Sequence, residues 1–155
     1  MAGDEDHKQS ARPLMPSART STRLGLGEVD VIAPGVLHFR FAGKITLGQA
    51  QIIVRAGNES ITRGDKPLIA IDASDVHAYE SDVRRLIQSW LKRNRTQIAG
   101  CWMLFRSPVV KMGINLINSV LDGAIRPFDD YEEFDRELAR ARVQAERRAA
   151  IAPRL

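Results

Sequence analysis

A single cysteine, Cys101, serves the whole chain. It cannot form an intramolecular disulfide, and a zinc cluster of several thiolates is excluded. Its neighbours Gly100 and Trp102 supply no activating charge, so Cys101 reads as a buried strand residue rather than a reactive thiol. No apolar run approaches the ~18–20 residues that span a bilayer, so stable membrane insertion is not expected. The opening MAGDEDHKQSARPL lacks the apolar stretch of a secretory signal. A cytoplasmic, reducing setting is the expectation.

Catalytic motifs are also scarce. The three histidines, His7, His38 and His77, are scattered, and no spacing makes a metal site of His38 and His77. Gly25-Leu26-Gly27 precedes the first strand and has neither the third glycine nor the helix of a phosphate-binding loop. No Gly-x-Ser-x-Gly elbow presents Ser74 or Ser81 as a nucleophile. Asp72 and Asp75 end a strand, where open α/β sheets place ligands, and His77 follows them. That trio is the one enzymatic arrangement the sequence offers; the simpler reading is that it solvates a loop. No catalytic residue, cofactor or metal is expected, and the chain is read as a non-enzyme.

The net charge of +4 also lacks a focus. Residues 1–23 carry four basic and three acidic groups, and residues 135–155 carry six and three. Residues 24–134 hold thirteen of each, so the surplus lies outside the central region. A nucleic-acid-binding domain concentrates positive charge on its folded face. Nucleic acid is therefore not an expected partner.

What is present is a regular alternation of elements. Residues 1–23 are polar and aperiodic and read as a disordered tail. Val29 and Val31, the Pro34-Gly35 turn and Val36–Ala42 alternate with period two, which predicts a hairpin. Thr46 and Gln49 then form a capping box, and Leu47, Ala50, Val54, Gly57 and Ile61 make a helical stripe ended by Gly64. Leu68–Ala73 reads as a buried strand followed by a loop. Val83, Leu86, Ile87, Trp90 and Leu91 stripe a second helix, and Ile98–Phe105 reads as a strand covered on both faces. Pro108 opens a third helix with Val109, Met112, Leu116, Ile117 and Val120 along it. Ala124–Phe128 is an edge strand. Asp129 and Asp130 start a last helix with Tyr131, Phe134, Leu138 and Ala141 inward. The order β-β-α-β-α-β-α-β-α predicts an α/β fold: a mostly parallel mixed sheet covered by helices, with an antiparallel leading hairpin. The domain is expected over 24–142, with 143–155 a basic helix end and tail.

The segment LIAIDASDVHAYESDVRRL, residues 68–86, and the ending AIRPFDDYEEFDREL, residues 124–138, resemble the STAS domain. That fold is shared by sulphate-transporter tails and bacterial anti-sigma factor antagonists. On this resemblance Asp72 matches the strand-end acid, and Glu80–Ser81 matches the Asp-Ser pair that opens the next helix. Val83 stands where the family has glycine. The resemblance implies that Ser81 is phosphorylated by an anti-sigma kinase and that the phosphate releases that kinase.

The implied partner is thus another protein, a serine kinase or anti-sigma-like regulator. Its expected docking surface is the loop and helix carrying Asp75, His77, Tyr79, Glu80, Ser81, Asp82, Arg84 and Arg85. Arg84 and Arg85 lie in a first helical turn, where the dipole disfavours cations. A plainer role for Ser81 is a helix N-cap. The alternative function is a STAS/SEC14-like carrier or sensor of a small apolar ligand, with Met112, Leu116 and Ile117 lining a cavity under the helices. The sequence assigns no oligomeric state.

Overall fold

A computed structural model describes residues 27–151. The predicted tail, residues 1–23, lies outside the described residues. The chain runs β1 (Gly27–Ala33), β2 (Val36–Ile45), α1 (Leu47–Thr62), β3 (Leu68–Tyr79), α2 (Ser81–Asn94), β4 (Gly100–Phe105), α3 (Pro108–Leu121), β5 (Ile125–Phe128) and α4 (Tyr131–Ile151), with a short 3-10 turn at Arg95–Gln97. The five strands form one sheet in the order β1-β2-β3-β4-β5. β1 pairs antiparallel with β2 and the other pairs are parallel. This is the mixed sheet that the alternation of elements predicts.

Period two in the strands sends alternate residues to opposite faces. Leu37, Phe39, Phe41, Ile69, Ile71 and Cys101 face one way, and α1, α2 and α3 cover them. Val36, Leu68, Ala70, Leu104 and Phe128 face the other way and are covered by Phe134, Leu138 and Ala145 of α4. α4 continues past residue 142 without a break. Of its predicted stripe, Phe134 and Leu138 are buried, Ala141 is half-buried and Tyr131 is exposed, because the strand below ends at Phe128.

The capping box forms as the sequence implies. The Thr46 hydroxyl accepts from Gln49 N at 3.2 Å, and Gln49 Oε1 accepts from Thr46 N at 3.0 Å. The inward face of α1 differs from the expected stripe. Ala50, Ile53, Gly57 and Ser60 are buried, while Val54 and Ile61 are half-buried. Gly57 sets this rotation: a Cβ there would stand 2.7 Å from the Trp90 ring. Trp90 also donates from Nε1 to Asn58 Oδ1 at 2.8 Å, which pins α2 to α1.

β3 departs most from the sequence reading. It does not stop at Ala73 but runs to Tyr79, still paired with β2, which itself extends to Ile45. Two bulges make this possible. Ala73 and Ser74 stand opposite Phe41 alone, and His77 is an extra residue between the Val76 and Ala78 pairings. Asp72 holds the first bulge. Its Oδ1 accepts from Ser74 N at 3.0 Å and from the Ser74 hydroxyl at 2.6 Å. Gly43, at φ +79°, supplies the matching bend in β2. The polar residues that read as a loop are the outward side of a bulged strand.

Candidate functional site

β4 pairs with β3 only as far as Ala73–Phe105. The last six residues of β3 therefore project beyond β4 at the carboxyl end of the sheet, joined only to β2. Val76 turns into the core, whereas Asp75 and His77 are exposed. Tyr79 is half-buried against the helix-covered core, with its ring on Gly113 of α3: a Cβ at Gly113 would lie 2.7 Å from the Tyr79 hydroxyl oxygen. Of the expected docking residues, Tyr79 is thus partly spent on packing.

The junction with α2 is a single residue. Glu80 is the N-cap of α2, but its side chain makes no cap bond to that helix. Instead Glu80 Oε1 accepts from Leu47 N at 2.8 Å, and Glu80 N donates to Ile45 O at 3.0 Å. Its carboxylate therefore serves one of the free N–H groups at the start of α1, where the helix dipole favours an anion. The sequence reading missed this role, because nothing in local spacing links residues 33 positions apart.

Ser81 is not the N-cap. It is the first residue of α2 and is exposed. Ser74 differs, since its hydroxyl is committed to Asp72. Val83, two residues on, is 7% exposed and belongs to the core, so its bulk points away from the surface that carries Ser81. Asp82 and Arg85 form an exposed ion pair at 3.2 Å, one turn apart. That pair offsets the unfavourable placement of Arg85 in the first turn. Arg84, half-buried, donates to Gln88 Oε1 at 3.1 Å. The exposed part of the expected surface is therefore Asp75, His77, Ser81, Asp82 and Arg85.

Asp72 is not available for surface chemistry. It is 4% exposed, engaged by Ser74, and ion-paired with Arg40 at 3.6 Å. Asp72, Asp75 and His77 therefore do not converge on one site. No cluster of three or more His, Cys, Asp or Glu suited to a metal occurs among the described residues. Burial pushes the Cys101 thiol up to about 12, which keeps it protonated and unreactive. No described helix is long and apolar enough to cross a membrane.

Two of the three residues expected to line an apolar cavity, Met112 and Leu116, face solvent instead. Ile117 is buried in the core, but Met112 is 62% exposed and Leu116 is 45% exposed. α3 carries two adjacent apolar rows, and Gly113 seated on Tyr79 decides which row turns inward. Shallow grooves run along α1, at Val54 and Asn58, and along α4, at Arg140 and Val143.

No family model matches the sequence, and no curated protein matches it. Solved structures do. The anti-sigma factor antagonist SpoIIAA in its unphosphorylated form aligns with a TM-score of 0.56 at 14% identity, over 74% of this chain and 97% of that one. An anti-sigma factor antagonist from Mycobacterium paratuberculosis aligns at 0.51 and 17% identity, over 82% and 99%. A DUF3478-family protein with a SpoIIAA-like fold from Shewanella loihica PV-4 aligns at 0.53 and 11%, over 77% and 98%. The chain has the SpoIIAA-like, STAS-type fold.

Proposed function

We propose that this domain is a non-enzymatic regulator that binds another protein through the carboxyl end of β3 and the start of α2, in the manner of an anti-sigma factor antagonist. The observation that carries the reading is Ser81. It is exposed at the first position of a helix, at the open end of the sheet, in a chain whose fold matches SpoIIAA. SpoIIAA itself has been solved in both unphosphorylated and phosphorylated forms.

The physics of a phosphate switch suits that position. Phosphorylation of Ser81 adds about −1.5 to −2 charge at a helix N-terminus. The dipole and free N–H groups there stabilise an anion, so the domain keeps its fold. The new charge lies between Glu80 and Asp82, and Arg85 is within one turn to leave Asp82 and meet it. A partner packed on this corner faces the opposite balance: an added anion that must be desolvated, beside two carboxylates. Binding is lost without unfolding. The partner of this reading is a serine kinase or anti-sigma-like regulator, met in the cytoplasm.

The test is affinity purification of the full chain from its own cells as wild type, Ser81→Ala and Ser81→Asp, with phosphate mapped by mass spectrometry. The expected result is a protein that co-purifies with wild type and Ser81→Ala and is lost with Ser81→Asp. If Ser81→Asp retains the same partner, the switch is wrong.

A further inference from the structure

The outward face of α3 is unlike that of any other described helix. α1 shows Gln51, Arg55, Asn58 and Glu59 to solvent, α2 shows Asp82, Arg85, Lys92 and Arg93, and α4 alternates Arg and Glu. α3 shows Val109 (47% exposed), Met112 (62%), Leu116 (45%) and Val120 (62%). The other exposed large hydrophobics, Tyr131, Val143 and Ile151, are scattered along α4. The inward row of α3, Val110, Gly113, Ile114, Ile117 and Leu121, already satisfies the core. The outer row is thus surplus to folding. It exposes on the order of 400 Å² of apolar surface, in the range of the largest patch on a typical soluble monomer, a patch that is often functional.

We infer that this row is the interface of a two-fold homodimer in which α3 packs antiparallel against α3 of a second copy. The spacing argues for a second copy rather than an unrelated partner. The row Val109, Met112, Leu116, Val120 is nearly a palindrome. One two-fold axis between Met112 and Leu116 sets Val109 against Val120 of the second copy and Met112 against Leu116 of it, to within a single residue. A surface that matches its own image is what a two-fold contact needs.

Charge points the same way. Lys111 is the one charged side chain in α3 and lies off the row. Antiparallel pairing separates the two Lys111 residues by roughly 10 Å along the axis, about one Debye length at physiological salt. The face therefore does not repel its copy, and it offers nothing for a charged partner to recognise. Two rows together bury roughly 800 Å², and a flanking rim brings this toward the ~1,200 Å² of a small specific interface.

Sedimentation equilibrium of the full chain at micromolar to ~100 μM concentration tests the proposal. Wild type is expected to dimerise, and Leu116→Glu and Met112→Lys are each expected to weaken the dimer at least ~tenfold. Both residues are exposed, so at concentrations low enough for wild type to be monomeric, circular dichroism and thermal unfolding of the variants should match wild type; at higher concentration only wild type should gain thermal stability. Val109→Lys and Val120→Glu should each weaken the dimer alone. Together they should restore it, because antiparallel packing places Lys against Glu twice. A wild type that stays monomeric at ~100 μM overturns the proposal and leaves the row to a different protein. A dimer that survives Leu116→Glu, or a double variant that fails to recover, overturns it equally.

Discussion

The two halves of β3 show how one strand serves two purposes. Leu68–Ala73 lies between β2 and β4, with helices on both faces, and every residue in it is buried. Ser74–Tyr79 has β2 alone for a neighbour, carries two bulges, and alternates between core and solvent. The first half stabilises the fold. The second carries it outward as a ribbon, ending at Glu80 and Ser81. The boundary is Asp72, whose carboxylate closes the first bulge through Ser74 and pairs with Arg40. The projecting half thus stays in register with β2 while leaving Asp75 and His77 exposed.

The sharpest break of that contrast lies in the first half. Ile71→Ala removes a fully buried side chain from the middle of the sheet and is expected to cost about 3–4 kcal/mol in chemical denaturation. A loss below about 1 kcal/mol would mean that the two halves are energetically alike. The second half has one point of comparable tightness, Tyr79 against Gly113. Gly113→Ala gains about 1 kcal/mol of helix propensity. Its new methyl, however, falls 2.7 Å from the Tyr79 hydroxyl oxygen and 3.1 Å from Cζ. A net destabilisation of about 1–2 kcal/mol is expected. In a Tyr79→Leu background the same change should become neutral or stabilising, and this non-additivity in a double-mutant cycle identifies the contact.

The contrast also explains what could be read without coordinates. Strict alternation in Val36–Ala42, the Thr46–Gln49 box and the apolar run at Ile98–Phe105 each report a local cause, so the element order was legible. The end of β3 was not. Asp72, Ser74 and Asp75 are turn formers by composition, and only pairing with an extended β2, through Gly43 and two bulges, keeps them in a strand. By its sequence Glu80 is half of a motif at the start of α2, yet its carboxylate caps α1, a relation no periodicity encodes. The rotation of α3 was hidden for another reason. Its two apolar rows have the same spacing, and the choice between them depends on a glycine meeting a tyrosine from a distant strand. Of the candidate surface, the exposed position of Ser81 was legible, but its place inside the helix rather than at the cap was not.

The smallest effect is the most informative about function. Asp75 and His77 face solvent from the projecting ribbon, with no packing role to lose. The double variant Asp75→Ala/His77→Ala is expected to change stability by less than about 0.5 kcal/mol. If the ribbon and the start of α2 form one docking surface, the same variant should weaken capture of the partner identified with wild-type protein, and Ser81 should remain modifiable. Quantitative pull-down alongside thermal unfolding separates these readouts. Unchanged stability with weakened capture makes the ribbon part of the interface. Unchanged capture confines recognition to α2, and the projection of β3 then serves only to set the height and direction of Ser81.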